Sequence, residues 1–294
     1  MENRSKKVRF NIVDLVIIVL VAAVGVGVMA LRNRAAGAEA AKNTVPMRCT
    51  VECIKVTPGI ADVLHEGDSV YNSVNGAYLG KVASFSSAPH VETEYSAASG
   101  GFVQYECPEA IDLCVTIEGS GYATERDVVI GSDHVKIGAS FAIKGRGFAR
   151  EGYVIGIDTM DAQLPENTED YAGDGTALYT IRLDDAREFY AANLHVGDRI
   201  YEAKTGGFLG VVEGVATEPF AETNLGSDGV GRLTEKPESY TVLLQVRGGF
   251  AAKPDGYYLG GTTELKVGAT VNVESRYISR SGIFASIESI EGTA

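Results

Sequence analysis

The chain has 294 residues, 35 of them glycine, no tryptophan, and a formal net charge of −13. Residues 1–34 carry a net charge of +4, which leaves −17 for the remainder. A body this acidic is repelled by nucleic acid and by anionic lipid headgroups, which argues against direct binding of either. The length accommodates two ordinary domains, each able to bury a core of its own.

The first predicted element is an apolar run from Leu15 to Leu31 that contains no charged residue. Extended back to Ile12, this run reaches the roughly 20 residues that a helix needs to cross a bilayer. Asn11 is placed as its N-cap, and Asp14 follows three positions later as in a capping box. The run therefore predicts a transmembrane helix.

Four basic residues precede this run and two follow it. The positive-inside rule then keeps the N-terminus in the cytoplasm and places the rest of the chain outside the cytoplasmic membrane. A cleavable signal peptide is the alternative, with Ala36-Gly37-Ala38 as its cleavage site. The retained anchor is favoured because the apolar run is longer than a signal peptide requires. The predicted segments are a cytoplasmic N-terminus (1–11), a transmembrane helix (12–31) and a stalk (32–46).

The rest of the chain repeats itself at an offset of 130 residues. Leu64-His65-Glu66-Gly67-Asp68 returns as Leu194-His195-Val196-Gly197-Asp198. Further matches in the same register are Gly76 with Gly206, Leu79-Gly80 with Leu209-Gly210, Val82 with Val212, Pro89 with Pro219, and Lys136 with Lys266. The chain thus holds two copies of one small domain, repeat 1 (47–158) and repeat 2 (177–294), joined by an acidic linker (159–176).

Each copy shows period-two alternation in its strands and glycine-marked hairpin turns at Gly76 and Gly206. The Gly/Ser-rich stretches 95–104 and 224–235 are predicted to be exposed loops. The predicted fold class is mainly β: a single N-terminal transmembrane helix, then two tandem homologous β-rich domains of barrel or sandwich type, each with one short helix. The predicted strands are 49–54, 69–71, 78–85, 111–118, 137–143 and 152–157 in repeat 1, and 179–183, 199–201, 208–215, 241–246, 267–273 and 282–287 in repeat 2; the helices are 60–64 and 186–193.

His65 and His195 are the sharpest polar candidates for a site. They are interpreted either as ligands or pH sensors at equivalent positions, or as structural residues that precede a Gly-Asp turn. The structural interpretation is favoured, and Asp68 and Asp198 are expected to cap their own turns rather than to form a catalytic pair.

An aromatic surface is the second candidate for a ligand or interaction site. Four aromatic side chains flank the hairpin turns, and they supply either such a surface or part of the core: Tyr71, Tyr78, Tyr201 and Phe208. No phosphate loop, nucleophile elbow or zinc-type spacing is present, so neither an enzyme nor a cofactor or metal site is predicted.

Four cysteines, all in repeat 1, are Cys49, Cys53, Cys107 and Cys114. Leucines stand at the positions of Cys53 and Cys114 in repeat 2, which predicts that these two thiols are buried. Lys236 stands at the position of Cys107, which predicts a surface thiol. A bridge between Cys53 and Cys114 and free thiols both remain open.

Two motifs carry a family resemblance. Phe10-Asn11-Ile12-Val13-Asp14-Leu15 runs into the apolar segment, and both copies contain Gly-Asp-x-Val/Ile-Tyr-x4-Gly-x2-Leu-Gly-x-Val. This combination resembles a bacterial membrane-anchored family catalogued as domain of unknown function 4330, which implies an envelope protein and brings no catalytic residues. The Gly-Asp segment also looks like the core of a PDZ domain, which binds peptide ends by strand addition, and the hairpin looks like lipid-transport domains of the mammalian-cell-entry type.

These observations favour a non-enzymatic single-pass membrane protein that presents tandem β domains as an interaction or scaffold module of the bacterial envelope. The expected partners are the lipid bilayer and an envelope protein, without nucleic acid. The alternative is an extracytoplasmic glycan- or peptide-binding module with its site in the cleft between the copies.

Overall fold

The computed structural model of the protein describes residues 44–159 and 173–292. It confirms a mainly β fold with two tandem β domains, each built on an eight-stranded antiparallel sheet, in one compact unit. The strands of the first domain are β1 (Val45–Val56), β2 (Ser69–Asn72), β3 (Tyr78–Ser96), β4 (Gly101–Ala123), β5 (Val128–Ile130), β6 (Asp133–Val135), β7 (Ser140–Gly145) and β8 (Phe148–Asp158). Those of the second are β9 (Gly175–Ala186), β10 (Arg199–Glu202), β11 (Phe208–Leu225), β12 (Gly231–Lys253), β13 (Gly256–Leu259), β14 (Thr263–Glu264), β15 (Thr270–Glu274) and β16 (Ser279–Gly292).

Each sheet closes on itself. In the first domain the order is β1-β8-β7-β2-β3-β4, and β4 pairs back onto β1, so six strands form a closed barrel with the β5–β6 hairpin attached to β4. The second domain has the same order, β9-β16-β15-β10-β11-β12, closed by pairing of β12 with β9. Closure removes the free sheet edges that a sandwich would leave. The two domains are called barrel 1 and barrel 2 below.

Period-two alternation fills the barrel interiors. In β1, Met47, Cys49, Val51 and Cys53 are at most 1% exposed, while the residues between them point outward. Four residues of β9 repeat the pattern: Ala177, Tyr179, Ile181 and Leu183. The one polar atom on this stripe is satisfied, because the Tyr179 hydroxyl donates to the Leu209 carbonyl oxygen at 2.7 Å. The alternation in these two strands therefore separates the barrel interior from its outer surface.

The Leu-Gly-x-Val motif marks a close approach of two strands. A Cβ at Gly80 would lie 2.2 Å from the Glu118 carbonyl oxygen, and one at Gly119 would lie 2.0 Å from the Leu79 oxygen. Gly210 and Gly248 repeat this crossing in barrel 2, at 2.2 and 2.0 Å from the opposing oxygens. Any side chain at these positions would push the strands apart, which explains why both copies contain the same glycines.

The stretches predicted as loops are instead the ends of long hairpins. β3 and β4 pair as far as Ser96 and Gly101, and β11 and β12 pair as far as Leu225 and Gly231, each with an irregularity after Pro89 or Pro219, so each barrel extends a two-stranded arm. Glycine and serine dominate only the tips. The flanking residues have high strand propensity and pair across the arm, as Tyr95 does with Phe102 at 5.6 Å between ring centroids.

The short helices differ between the copies. Barrel 1 has a 3₁₀ helix at Pro58–Val63, where Pro58-Gly59 begins the turn, and barrel 2 has an α-helix, α1, at Glu188–Ala192. No helix within residues 44–159 and 173–292 is long and apolar enough to span a membrane. The predicted transmembrane helix (12–31), the alternative cleavage site and most of the linker (159–176) lie outside the described residues.

Candidate functional site

The four predicted aromatic residues form two equivalent cross-strand pairs. Tyr71 faces Tyr78 in barrel 1 with ring centroids 5.4 Å apart, and Tyr201 faces Phe208 in barrel 2 at the same distance. Both pairs flank the turn of the hairpin that follows the Gly-Asp segment. The four residues therefore form two separate aromatic pairs, one on each barrel.

The two pairs differ in exposure. Tyr71 and Tyr78 are 38% and 49% exposed, whereas Tyr201 is only 7% exposed. Barrel 1 covers Tyr201, since the Arg126 guanidinium lies 4.9 Å from the Tyr201 ring centroid. We define the hairpin face of barrel 1 as Tyr71, Tyr78 and the neighbouring Lys144, which is the cross-strand partner of Tyr71.

Ion pairs join the two barrels. Glu52 of barrel 1 accepts two hydrogen bonds from the Arg187 guanidinium, at 2.5 and 3.3 Å. At the other end of the contact, Glu125 pairs with Arg199 at 2.5 Å, and Arg126 pairs with Glu274. These pairs connect residues from both ends of the interface and fix its register.

Lys136 lies beside the Arg126–Glu274 pair of this interface, 3.7 Å from the Glu274 carboxylate. Its ammonium group donates to the carbonyl oxygens of Ser275 at 2.7 Å and Arg276 at 3.2 Å, both in barrel 2. Burial lowers the pKa of Lys136, and the neighbouring carboxylates of Asp127 and Glu274 oppose that shift. The lysine thus satisfies backbone acceptors of barrel 2 while its charge is balanced by two carboxylates.

Backbone contacts complete the interface. Ile137 forms a parallel β-bridge with Ile278, and its N–H donates to the Tyr277 carbonyl oxygen at 2.7 Å. Both isoleucines are at most 1% exposed. The sequence placed Ile137 at the start of a barrel strand, but β7 begins at Ser140, because the chain first turns at Gly138, which has a positive φ, as it does at Gly268 before β15.

The contact uses different surfaces of the two barrels. Barrel 1 contributes the β4–β5 tip and the segment around Lys136, whereas barrel 2 contributes the turn end of its β10–β11 hairpin and the end of β15. In such a head-to-tail contact, each barrel uses a different surface. The equivalent of each surface on the other barrel therefore lies outside the contact. On barrel 1 the surface outside the contact is the hairpin face. Lys144 pairs with Tyr71 there as Glu274 pairs with Tyr201 in barrel 2, so Lys144 occupies the position of Glu274.

The paired histidines lie on exposed turns. The side chains of His65 and His195 are 74% and 65% exposed. Their backbone N–H groups donate to the carboxylates of Asp68 at 3.0 Å and Asp198 at 2.7 Å. Each aspartate therefore caps its own Gly-Asp turn, and each histidine presents its ring to solvent without a second histidine beside it in the described residues.

A cleft of about 540 Å³ opens between the barrels. Its lining combines two aromatic rings, three carboxylates and a guanidinium, from Glu52 and Ile155 of barrel 1 and Arg187, Glu188, Phe189, Ala192, Glu238 and Tyr240 of barrel 2. None of the six sequence-predicted site residues lines it. A cleft between the copies is therefore present, but its lining could not be predicted from the sequence, because its walls come from segments of two repeats that meet only in the folded protein.

All four cysteines are free thiols in the structure. Cys53 is buried as expected, but Cys114 is only partly buried, since it lies on the outward-facing side of β4. Burial raises the pKa of Cys49 to about 12 and that of Cys53 to about 11. Neither thiol therefore carries appreciable thiolate near neutral pH.

The comparisons with known proteins give one match. The family model described as Domain of unknown function (DUF4330) matches residues 6–158, which include barrel 1 and leave barrel 2 outside the match. No curated protein and no solved structure matches the chain. On the extent of that match, the chain belongs to the family Domain of unknown function (DUF4330).

Proposed function

We propose that the protein is a non-enzymatic, single-pass membrane protein that presents its two barrels outside the cytoplasmic membrane as an interaction or scaffold module of the bacterial envelope. The apolar run of residues 12–31 is the anchor in this proposal. The tandem barrels form the part that meets a partner.

The observation that carries this proposal is the exposed hairpin face of barrel 1. Its equivalent in barrel 2 already serves as a protein-binding surface, because barrel 1 docks there. Exposed aromatic residues beside a charged residue are typical of the anchor positions of protein interfaces. The hairpin face thus corresponds in position to that contact surface, and within the described residues both of its tyrosines remain exposed.

Charge complementarity indicates what kind of partner fits. In the internal contact, the Arg126 guanidinium at the β4–β5 tip meets Glu274. On the hairpin face of barrel 1, Lys144 replaces that glutamate, so the matching tip should be acidic. We infer that the partner is an envelope protein with an acidic β-hairpin tip.

The test is affinity capture of the full-length protein from native membranes, compared with Lys144→Glu. This variant carries the residue that barrel 2 has at the same position, so its barrel should fold. We expect the partner to be lost at least tenfold, because two carboxylates would then face each other. The exposed Lys266→Glu variant is the matched control and should retain the partner. Equal recovery with all three proteins would contradict the proposal.

The anchor and the orientation need a separate measurement. Alkaline phosphatase fused after residue 294 is active only outside the cytoplasm, and we expect activity in the membrane fraction. A fusion in which residues 1–34 are deleted should lose that activity. Phosphatase activity confined to a soluble, shortened protein would instead indicate cleavage at the alternative site.

The cleft between the barrels supports a second candidate function, the binding of an extracytoplasmic glycan or peptide. Phe189 and Tyr240 provide aromatic faces, and Glu188 and Glu238 provide acceptors for hydroxyl or amide groups. A volume of about 540 Å³ is of the size that small-ligand sites occupy. Calorimetry with cell-wall fragments and peptide pools tests this candidate, and heat that persists unchanged in Tyr240→Ala would exclude the cleft as the site.

A further inference from the structure

Three groups of metal-binding type converge where the hairpin arm leaves barrel 1. The ligand atoms of His90, Glu92 and Cys107 lie within 4.8 Å of one another. His90 and Glu92 are two residues apart on β3 and point to the same side, and Cys107 is the direct cross-strand partner of His90 on β4. His90 is 8% exposed, and Glu92 and Cys107 are partly buried.

A fourth residue orients the histidine. The Nδ1 atom of His90 lies 2.8 Å from the Asp112 carboxylate, so this nitrogen carries the proton and donates it. The other ring nitrogen, Nε2, lies 3.6 Å from the Glu92 carboxylate and is the ring atom that remains available to a metal ion. A carboxylate behind a histidine ring fixes the tautomer and raises the basicity of the free nitrogen, as found behind metal-binding histidines.

Barrel 2 provides an internal comparison. Its hairpin has the same strand irregularity, the same flanking prolines, Pro219 and Pro237, and a glutamate, Glu222, at the position of Glu92, but it lacks the other three groups. Phe220, Lys236 and Thr241 replace His90, Cys107 and Asp112, respectively. The barrel therefore folds without these groups, and their coincidence in barrel 1 is not a requirement of the fold.

We propose that His90, Glu92 and Cys107 bind one divalent transition-metal ion of the zinc class. Imidazole nitrogen, thiolate sulfur and carboxylate oxygen together are the ligands that zinc takes in proteins, and three protein ligands leave one position open. Cys107 also borders a cavity of about 460 Å³ lined by Lys55, Tyr105 and Glu109, among others. Water or a small acidic ligand in that cavity completes the coordination.

Lys55 competes with the metal for Glu92. Its ammonium group pairs with the Glu92 carboxylate and is 59% exposed, so it can swing into solvent when the carboxylate binds a cation. Two cations near one carboxylate repel each other. Removing the ammonium group of Lys55 should therefore tighten metal binding, whereas removing a metal ligand would weaken it.

The test is titration of the full-length, reduced protein with Co²⁺, followed by displacement with Zn²⁺. We expect one equivalent of Co²⁺ to give visible d–d bands and a near-ultraviolet thiolate-to-cobalt band. Cys107→Ser should abolish the thiolate band, and His90→Phe, which introduces the residue of barrel 2, should weaken binding at least tenfold. Cys114→Ser is the matched thiol control and should leave the spectrum unchanged.

Two further variants separate a metal site from a structural hydrogen-bond network. Asp112→Thr should weaken the affinity by roughly 10–100-fold and keep the thiolate band, since the residue acts through His90. Lys55→Gln should tighten the affinity. The proposal is overturned if the wild-type protein shows no thiolate band, if the band persists in Cys107→Ser, or if Lys55→Gln weakens binding; circular dichroism checks that each variant is folded.

Discussion

The Tyr190 hydroxyl group of barrel 2 lies directly against Gly138 of barrel 1, where an added Cβ would be 1.7 Å from the hydroxyl oxygen. The glycine has a φ of +79° and its N–H donates to the Val154 carbonyl oxygen within its own barrel. The two barrels therefore meet at a position where no side chain fits. Its equivalent, Gly268, has a φ of +85° and open space around it.

This pair of glycines gives a matched test of the interface. Gly268→Ala should cost about 1 kcal/mol, since alanine is strained at positive φ. Gly138→Ala should cost about 3 kcal/mol, because the clash with Tyr190 adds to the same strain. Denaturant unfolding measures both values, and Tyr190→Phe should relieve part of the loss in Gly138→Ala. Equal losses at the two glycines would show that the barrels do not pack this way in solution.

Lys136 and Lys266 form a second matched pair. Lys136→Met should lower the free energy of unfolding by about 2 kcal/mol, because buried carbonyl oxygens of Ser275 and Arg276 lose their charged donor. Lys266 is exposed, so Lys266→Met should stay within about 0.5 kcal/mol of the wild type. The comparison is made by urea unfolding under the same conditions. A Lys136→Met protein as stable as its control would contradict the bonding assigned to this lysine.

The raised pKa of Asp198 predicts that the stability of the fold depends on pH. Burial raises the pKa of this carboxyl group above its ordinary value of 3.8, although the His195 N–H partly opposes the shift. A group whose pKa is raised by folding contributes stability below its unfolded pKa, and that contribution is lost as the pH rises through the folded pKa. Asp198→Asn lacks this titration, so its stability relative to the wild type should increase as the pH rises from below 3.8 towards neutrality. A relative stability that falls over this range would contradict the sign.

The cysteines should differ sharply in reactivity. At neutral pH, native Cys49 and Cys53 should resist alkylation, because burial raises their pKa values to about 12 and about 11. Cys107, which is less buried, should be modified first, and Zn²⁺ should protect it if the metal site is correct. Mass spectrometry of peptides after brief alkylation checks this order. Early modification of Cys49 would show that barrel 1 opens more readily than its packing implies.

The repeat, the core and the hairpin turns could be predicted from the sequence, because each rests on local pattern. The alternation around Val51 identified the interior of β1, and the shared Leu-Gly-x-Val motif reflects the close crossing at Gly80. The hairpin arms were predicted wrongly, since glycine and serine at the tips hid the strand-forming residues Tyr95 and Phe102 beside them.

The interface and the metal-type cluster could not be predicted for another reason. In the sequence, Arg126 and Lys136 look like ordinary surface residues. Their partners in barrel 2 lie 148 and 139 residues further along the chain. His90 and Glu92 follow the i, i+2 spacing of one strand face, which is a weak signal. Only the register of the hairpin shows that Cys107 lies opposite His90.

The most direct test of the account is photo-crosslinking in cells from a benzophenone side chain at position 78 of the full-length protein. We expect a discrete adduct with one envelope protein, lost in Lys144→Glu and retained in Lys266→Glu. The same probe at position 201, where the Arg126 guanidinium of barrel 1 covers the ring, should give no intermolecular adduct. Equal adducts from both positions, or none from position 78 in folded, membrane-associated protein, would contradict the assignment of the hairpin face as a docking surface.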